Sequence, residues 1–316
     1  MSVSQPPKSA ARTSRQVAIR RRQFGAAVVV GVAVLAIFAY ALRPSENGSH
    51  TNSGGVSPIE AAAAAAAKNA QLGVDAADAV KRRAWSIGPY ARLVPTRDGI
   101  NGGAEAGNLV ALTFDDGPGA DTLDVLALLK RYKMHATFFV TGQNIAKNPD
   151  VLAAIVADGH VVGNHTWTHA SLPSLNKAAL RREIDDTSTL IVEQTGHVPT
   201  TMRPPFGDFT GKTNQFVRSR GLLPIMWTID SNDWQLSKPQ TIANNVLNAP
   251  ALKPGAVILL HDGSRDRSAT VNALLMILDG LTERGLRSVT IPALLRAGKP
   301  SIARPGDYTL SDYATG

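Results

Sequence analysis

Residues 109–118 read Leu-Val-Ala-Leu-Thr-Phe-Asp-Asp-Gly-Pro. Six mostly apolar residues are too few for a helix and are the right length for a buried strand. Two carboxylates follow at once, and Gly-Pro then breaks the run. The same order recurs along the chain. His165 follows His-Val-Val-Gly-Asn, Asp230 and Asp233 follow Leu-Pro-Ile-Met-Trp-Thr-Ile, and His261 and Asp262 follow Ala-Val-Ile-Leu-Leu. In parallel α/β barrels the active site is built at the carboxyl ends of the strands. Four polar clusters at four strand ends are therefore expected to converge on one cleft.

The intervening sequence has helical spacing. Residues 109–114, 136–140, 160–163, 222–229, 256–260 and 288–291 read as strands. Helices are expected at 122–132, with Leu123, Leu126 and Leu129 on one face, and at 151–157, closed by Gly159. Two more are expected at 176–195, with an apolar face of Leu180, Ile184 and Ile191 and a Gly196 cap, and at 269–284. This alternation predicts an α/β fold, a parallel sheet closed or wound by helices. Some 190 residues, about 108–296, carry the pattern, which is short for a full eight-fold barrel.

Upstream the composition changes. Of the net charge of +8, six charges come from Lys8, Arg12, Arg15, Arg20, Arg21 and Arg22 in an acid-free stretch, 1–23. The nearly neutral remainder lacks the electrostatic footprint of a nucleic-acid binder. Residues 24–42 are 19 uncharged, mainly apolar residues. As a helix they are long enough to cross a bilayer, and the preceding arginines favour a cytoplasmic N-terminus. The expectation is a single-pass signal-anchor with the rest of the chain outside. Cleavage near Ala39-Tyr40-Ala41 and secretion is the alternative, and Arg21-Arg22-Gln23-Phe24 resembles an incomplete twin-arginine motif. Residues 43–57 are a Ser/Gly/Asn-rich linker, 59–83 an alanine-rich helix, and 98–107, with four glycines, a second hinge. The domain pattern is then a basic segment (1–23), a membrane or signal helix (24–42), a linker (43–106), an α/β domain (107–298) and a tail (299–316). The chain has no cysteine, which excludes disulfides, thiolate ligands and a cysteine nucleophile. The sequence does not set the oligomeric state.

Each polar cluster has a functional and a structural reading. His165 and His169, four apart, are able to aim two imidazoles at one ion. With Asp116 they make a His₂-carboxylate set of the kind found in catalytic metal sites. Asp115 and Asp116 alone also suit a turn before Gly117-Pro118. Arg203, ahead of Pro204-Pro205, is either a surface arginine on a rigid turn or a guanidinium holding a carboxylate. Asp233 is able to fix the tautomer of a histidine such as His261, which by itself also suits a structural role.

Five ordered motifs give the chain a family likeness: Thr-Phe-Asp-Asp-Gly-Pro (113–118), His-Thr-Trp-Thr-His (165–169), Arg-Pro-Pro-Phe-Gly (203–207), Asp-Ser-Asn-Asp-Trp (230–234) and Leu-Leu-His (259–261). Over residues 107–298 it resembles the metal-dependent polysaccharide deacetylases, which act on chitin, chitooligosaccharides and peptidoglycan. The resemblance implies a distorted, incomplete (β/α) barrel. It implies one divalent metal, usually Zn²⁺ with Co²⁺, Ni²⁺ or Mn²⁺ as other candidates, on Asp116, His165 and His169. It makes Asp115 the general base and His261 the general acid, with Arg203 and Asp233 orienting them. The Phe206 N–H would face the oxyanion, and Trp234 and Leu259 would line the acetyl pocket. Phe206 stands where many members have Tyr, so a hydroxyl contact to substrate is lost.

The expected function is hydrolysis of N-acetyl groups on a cell-wall glycan, releasing acetate, by an enzyme whose partners are that glycan and, through residues 24–42, the membrane. An O-acetyl esterase would use the same groups. A catalytically silent wall-binding protein would not need the Asp115–His261 pair, and two-metal phosphoester cleavage lacks ligands for a second ion.

Overall fold

The computed structural model describes residues 98–304. The expectations for the basic segment, the span at 24–42, the alanine-rich helix and the linker up to residue 97 lie outside the described residues, as does the tail (299–316) from 305 onward. Among the described residues no helix is long and apolar enough to cross a membrane.

The strands are β1 (Gly99–Ala104), β2 (Leu109–Asp115), β3 (Ala136–Val140), β4 (Val161–Asn164), β5 (Thr201–Met202), β6 (Leu223–Pro224), β7 (Ile229–Asp230), β8 (Val257–His261), β9 (Arg287–Ser288) and β10 (Lys299–Ala303). The helices are α1 (Thr122–Arg131), α2 (Gly142–Lys147), α3 (Pro149–Ala157), α4 (Lys177–Arg181), α5 (Thr187–Thr195), α6 (Gly211–Ser219), α7 (Pro239–Leu247), α8 (Ser268–Glu283) and α9 (Ile291–Ala297). Eight strands form a sheet in the order β6-β5-β4-β3-β2-β8-β7, with β9 also paired to β2. All its pairings are parallel. The sheet curls into a half-barrel whose ends, β6 and β7, are not paired to each other.

The inner strands β2, β3 and β8 are buried nearly from end to end. That is why they read as unbroken apolar runs: helices and core cover both faces of a parallel sheet. One core cluster joins the sheet to α1, α3, α7 and α8 through residues such as Leu129, Leu152, Ile242 and Ile277. A second, with Phe139, Trp227, Leu259 and Leu294, lies on the other side. Each such side chain, fully buried, contributes roughly 1.5–3 kcal/mol of transfer free energy. The register matters most: Asp115 pairs with Phe139 on one side and His261 on the other.

Several expectations are corrected. The run 222–229 is not one strand. It divides into β6 and β7, which lie at opposite edges of the sheet, and residues 225–228 cross between them. Residues 98–107 are not simply a hinge: β1 pairs antiparallel with β10 and bridges Ile225 on one side of the gap and Ala256 on the other. The final strand shrinks to β9, and Ile291 instead opens α9, whose N-cap Thr290 accepts from the Ala293 N–H. On α1 it is Val125, Leu126 and Leu129 that face the core, while Leu123 is 52% exposed. Residues 176–195 are interrupted by a π-turn at Arg182–Asp186, yet Leu180, Ile184 and Ile191 are buried and Gly196 caps the end at φ 70°.

Candidate active site

The four strand-end clusters do converge. A cavity of about 350 Å³ is lined by Asp115, Asp116, His165, His169, Phe206, Trp234, Leu259 and His261, with Ser264, Arg265 and Arg267 among its other walls. Asp115 is the last residue of β2, His165 follows β4, Arg203 follows β5, Asp233 lies beyond β7, and His261 ends β8.

Asp115 and Asp116 part because the chain turns between them. Asp116 has φ 71°, the left-handed region that favours glycine. Thr166, His169, Phe206, Asn232 and Ser264 also have positive φ, at 66°, 60°, 60°, 56° and 71°. Strained residues gathered around one cavity, each costing of order 1 kcal/mol, persist because the surrounding packing over-determines them. Gly117 is required by a close approach: a Cβ there would lie 2.5 Å from the Asp262 carboxylate.

The Asp115 carboxylate is 3% exposed and accepts from Arg203 Nη1 at 2.7 Å. Arg203, completely buried, is itself held on every side. It donates to Thr113 Oγ1 (2.8 Å) and to the Ile225 and Met226 carbonyls (3.1 and 3.0 Å), and its guanidinium lies 4.4 Å from the Phe139 ring centroid. Burial pushes the Asp115 pKa above the ordinary carboxylate value, and Arg203 counters only part of that push.

Asp116, His165 and His169 place one carboxylate oxygen and two imidazole nitrogens within 4.8 Å of one another. His165 Nδ1 lies 2.7 Å from the Arg203 carbonyl. Burial drives the His165 pKa down to about 4, so the ring is neutral at pH 7. Nδ1–H then donates to that carbonyl, and Nε2 carries the lone pair. Nε2 of His165 and of His169 lie 3.5 and 3.4 Å from Asp116 Oδ1, a buried oxygen that accepts no hydrogen bond. A buried carboxylate oxygen left without a donor while two imidazoles converge on it is the arrangement a divalent cation satisfies, and the donor set suits zinc chemistry. Among the described residues this is the one such group.

Across the cavity, His261 Nδ1 lies 2.7 Å from Asp233 Oδ1, and the His261 N–H donates to Asp233 Oδ2 at 2.8 Å. Thr270 Oγ1 also donates to Asp233 Oδ2, at 2.9 Å. Burial alone would lower the His261 pKa, but Asp233 outweighs it and holds it at about 9. The ring is therefore protonated at pH 7, with Nε2 as its second N–H.

The structure brings together the ten residues to which the family resemblance gives a role, while Asp230, named with Asp233 at its strand end, lines a different cavity. Arg267, 3% exposed, donates to the Gly263 carbonyl at 2.9 Å and to the Asp233 carbonyl at 3.3 Å, and lies 3.8 Å from Asp116. Asp262 is 1% exposed, accepts from Thr122 Oγ1 at 2.6 Å, and is pushed by burial up to about 7. Asp262 was visible in the sequence beside His261 at the strand end, but with no role of its own. A single arginine among 33 basic residues gave no signal for Arg267.

The profile of the family described as polysaccharide deacetylase matches residues 102–225. A peptidoglycan-N-acetylglucosamine deacetylase of Bacillus cereus is 35% identical over 192 residues, covering 60% of this chain and 69% of that one. A peptidoglycan-N-acetylmuramic acid deacetylase of Bacillus subtilis is 36% identical over 198 residues, covering 62% of this chain and 40% of that one. Among solved structures, a peptidoglycan N-acetylglucosamine deacetylase bound to an N-hydroxybenzamide superposes with a TM-score of 0.60 at 33% identity, covering 64% of this chain and 94% of the other. With the half-barrel and the clustered motif residues already in view, these matches establish that the chain belongs to the polysaccharide deacetylase family.

Proposed function

We propose that this chain is a metal-dependent hydrolase that removes N-acetyl groups from N-acetylglucosamine-type residues of a cell-wall glycan. The observation that carries the proposal is the opposition, across one cavity, of a carboxylate held by Arg203 and a protonated imidazole held by Asp233. Asp115 is the general base and His261 the general acid; Asp116, His165 and His169 are the metal ligands. A divalent cation, zinc by preference, would supply Lewis acidity to the acetamide carbonyl and lower the pKa of the attacking water.

Asp115 takes the proton of the attacking water, and Arg203 keeps that carboxylate aimed. The turn Pro205–Gly207 uses the N–H groups of Gly207 and Asp208 for its own hydrogen bonds. That leaves the Phe206 N–H for the tetrahedral oxyanion; losing one such donor costs about 3–4 kcal/mol of transition-state stabilisation. His261 gives its Nε2 proton to the departing nitrogen. Leu259 and Trp234 enclose the methyl group. Acetate and a free amino sugar leave, and the proton gained by Asp115 balances the one lost by His261.

The catalytic domain takes in residues 107–298. Residues 24–42 tether it to the membrane, with the domain on the outer side. The test is acetate release from chitooligosaccharides and peptidoglycan fragments, each with and without a chelator. Release that stops on chelation and returns with added zinc is expected. A metal-loaded protein that frees acetate from no N-acetylated glycan would overturn the proposal, and release only from O-acetylated xylan would make it an esterase.

A further inference from the structure

Building on the deacetylase reading, we infer that Arg265 selects glycans that carry a carboxylate near the reacting N-acetyl group, so that an acidic strand is taken in preference to a neutral one.

Three arginines stand at this cavity, and two are committed to the fold. Arg203 is closed in by Asp115, Thr113 and two carbonyls. Arg267 is buried among Gly263, Asp233 and Asp116. Arg265 differs from both. It lines the same cavity as Asp115, His169, Phe206 and His261, yet it is exposed. Among the described residues it has no acidic partner. The acids of the cavity do not neutralise it, because Asp115 already faces Arg203, and Asp116 faces Arg267 and two histidines.

The loop that carries Arg265 is pinned on both sides. Gly263 packs so tightly on the chain at Asp116 that a Cβ would lie 2.1 Å from the Asp116 carbonyl oxygen. Ser264 then turns the backbone at φ 71°. Past Arg265, the Ser268 N–H donates to Asp266 Oδ1 at 2.9 Å, and the Arg267 N–H donates to Asp121 Oδ2 at 2.8 Å. Arg265 is thus presented from a fixed turn at the cavity wall. A guanidinium is a flat fork of five donors matched to a carboxylate, and a neutral sugar hydroxyl gives it far less. An unneutralised cation at the mouth also raises the local concentration of anionic ligands.

A strand of N-acetylglucosamine alone offers no charge to this group. A strand containing N-acetylmuramic acid offers the lactyl carboxylate, and an attached stem peptide offers others of the same chemistry. Four substrates separate these cases. They are chitotetraose, a peptide-free tetrasaccharide of alternating N-acetylglucosamine and N-acetylmuramic acid, the same tetrasaccharide with its lactyl carboxylates converted to methyl amides, and its stem-peptide form.

Steady-state acetate release from the full chain is expected to favour the free acid over its methyl amide by about fivefold in kcat/KM at low ionic strength, the scale of an exposed ion pair. The excess should shrink as salt rises from roughly 50 to 500 mM. Arg265→Gln should bring the ratio close to one, mainly through KM. Arg265→Lys should restore part of it, and Arg265→Glu should reverse it. A preference confined to the peptide-bearing substrate, and lost in Arg265→Gln, would still support selection for a carboxylate and would place it on the stem. The same ratios in wild type and Arg265→Gln, with all four substrates turned over, would overturn the inference and leave the deacetylase reading standing. No acetate from any of the four would overturn both.

Discussion

Asp115 and Asp116 are neighbours in the chain that work in different surroundings. Asp115 accepts from the Arg203 guanidinium at 2.7 Å and lies 3.7 Å from His165 Nε2, whereas Asp116 faces two neutral imidazoles at 3.5 and 3.4 Å and lies 3.8 Å from Arg267. Their separation predicts that Asp115→Asn will lower acetate release by about 10²–10⁴-fold, the range of a lost general base. It should still bind zinc as measured by calorimetry, because the proposed ligands Asp116, His165 and His169 are untouched. His261 gives a second prediction, through pH. A general acid works only below its own pKa, so activity should persist into the alkaline range and fall as pH passes about 9. Asp233 supplies the charge that raises this pKa. Asp233→Asn should therefore move the alkaline limb of the kcat/KM profile toward lower pH, and an unmoved limb would remove His261 from the acid's role. At this scale most of the site was legible, since each motif keeps its key residues within a few positions of each other. The buried contacts of Arg267 were not, because it lies outside the five motifs, and Thr113 stood inside a motif with no sign that its hydroxyl meets Arg203.

The elements show where periodicity suffices. The strands β2, β3 and β8 were readable because both their faces are buried, and α8 because its apolar spacing runs on for 16 residues. The run 222–229 misled because continuous hydrophobicity marks burial, and Ile225, Met226 and Trp227 are buried between two strand edges without forming a strand there. For α9 the cap and proline signals were present, but the preceding apolar residues resembled a strand. The glycines of β1 suggested a hinge because they leave the strand few side chains, and the close approaches of Gly102 and Gly103 to neighbouring elements account for them. Ile277 on α8 is fully buried in the core cluster that joins this helix to the sheet. Ile277→Ala should destabilise the domain by about 2–5 kcal/mol. A thermal melt should show a clear drop in Tm, with residual activity at low temperature because Ile277 lies in the core and not in the cavity wall.

For the whole molecule, the distribution of charge is as informative as its total. Most of the net positive charge precedes the apolar run at 24–42, so the catalytic part carries little long-range field of its own. Removing residues 1–42 is predicted to move the protein from the membrane fraction to the soluble fraction while preserving acetate release in vitro. Unchanged sedimentation with membranes would count against the tether. The half-barrel leaves β6 and β7 unjoined, and the residues between them pass over the gap. In a complete barrel each edge carbonyl is engaged by the next strand. Here Ile225 and Met226 turn theirs inward to the Arg203 guanidinium. The unclosed ring thus works as a cation cage: the backbone acceptors that a missing strand would have claimed hold the arginine that aims Asp115.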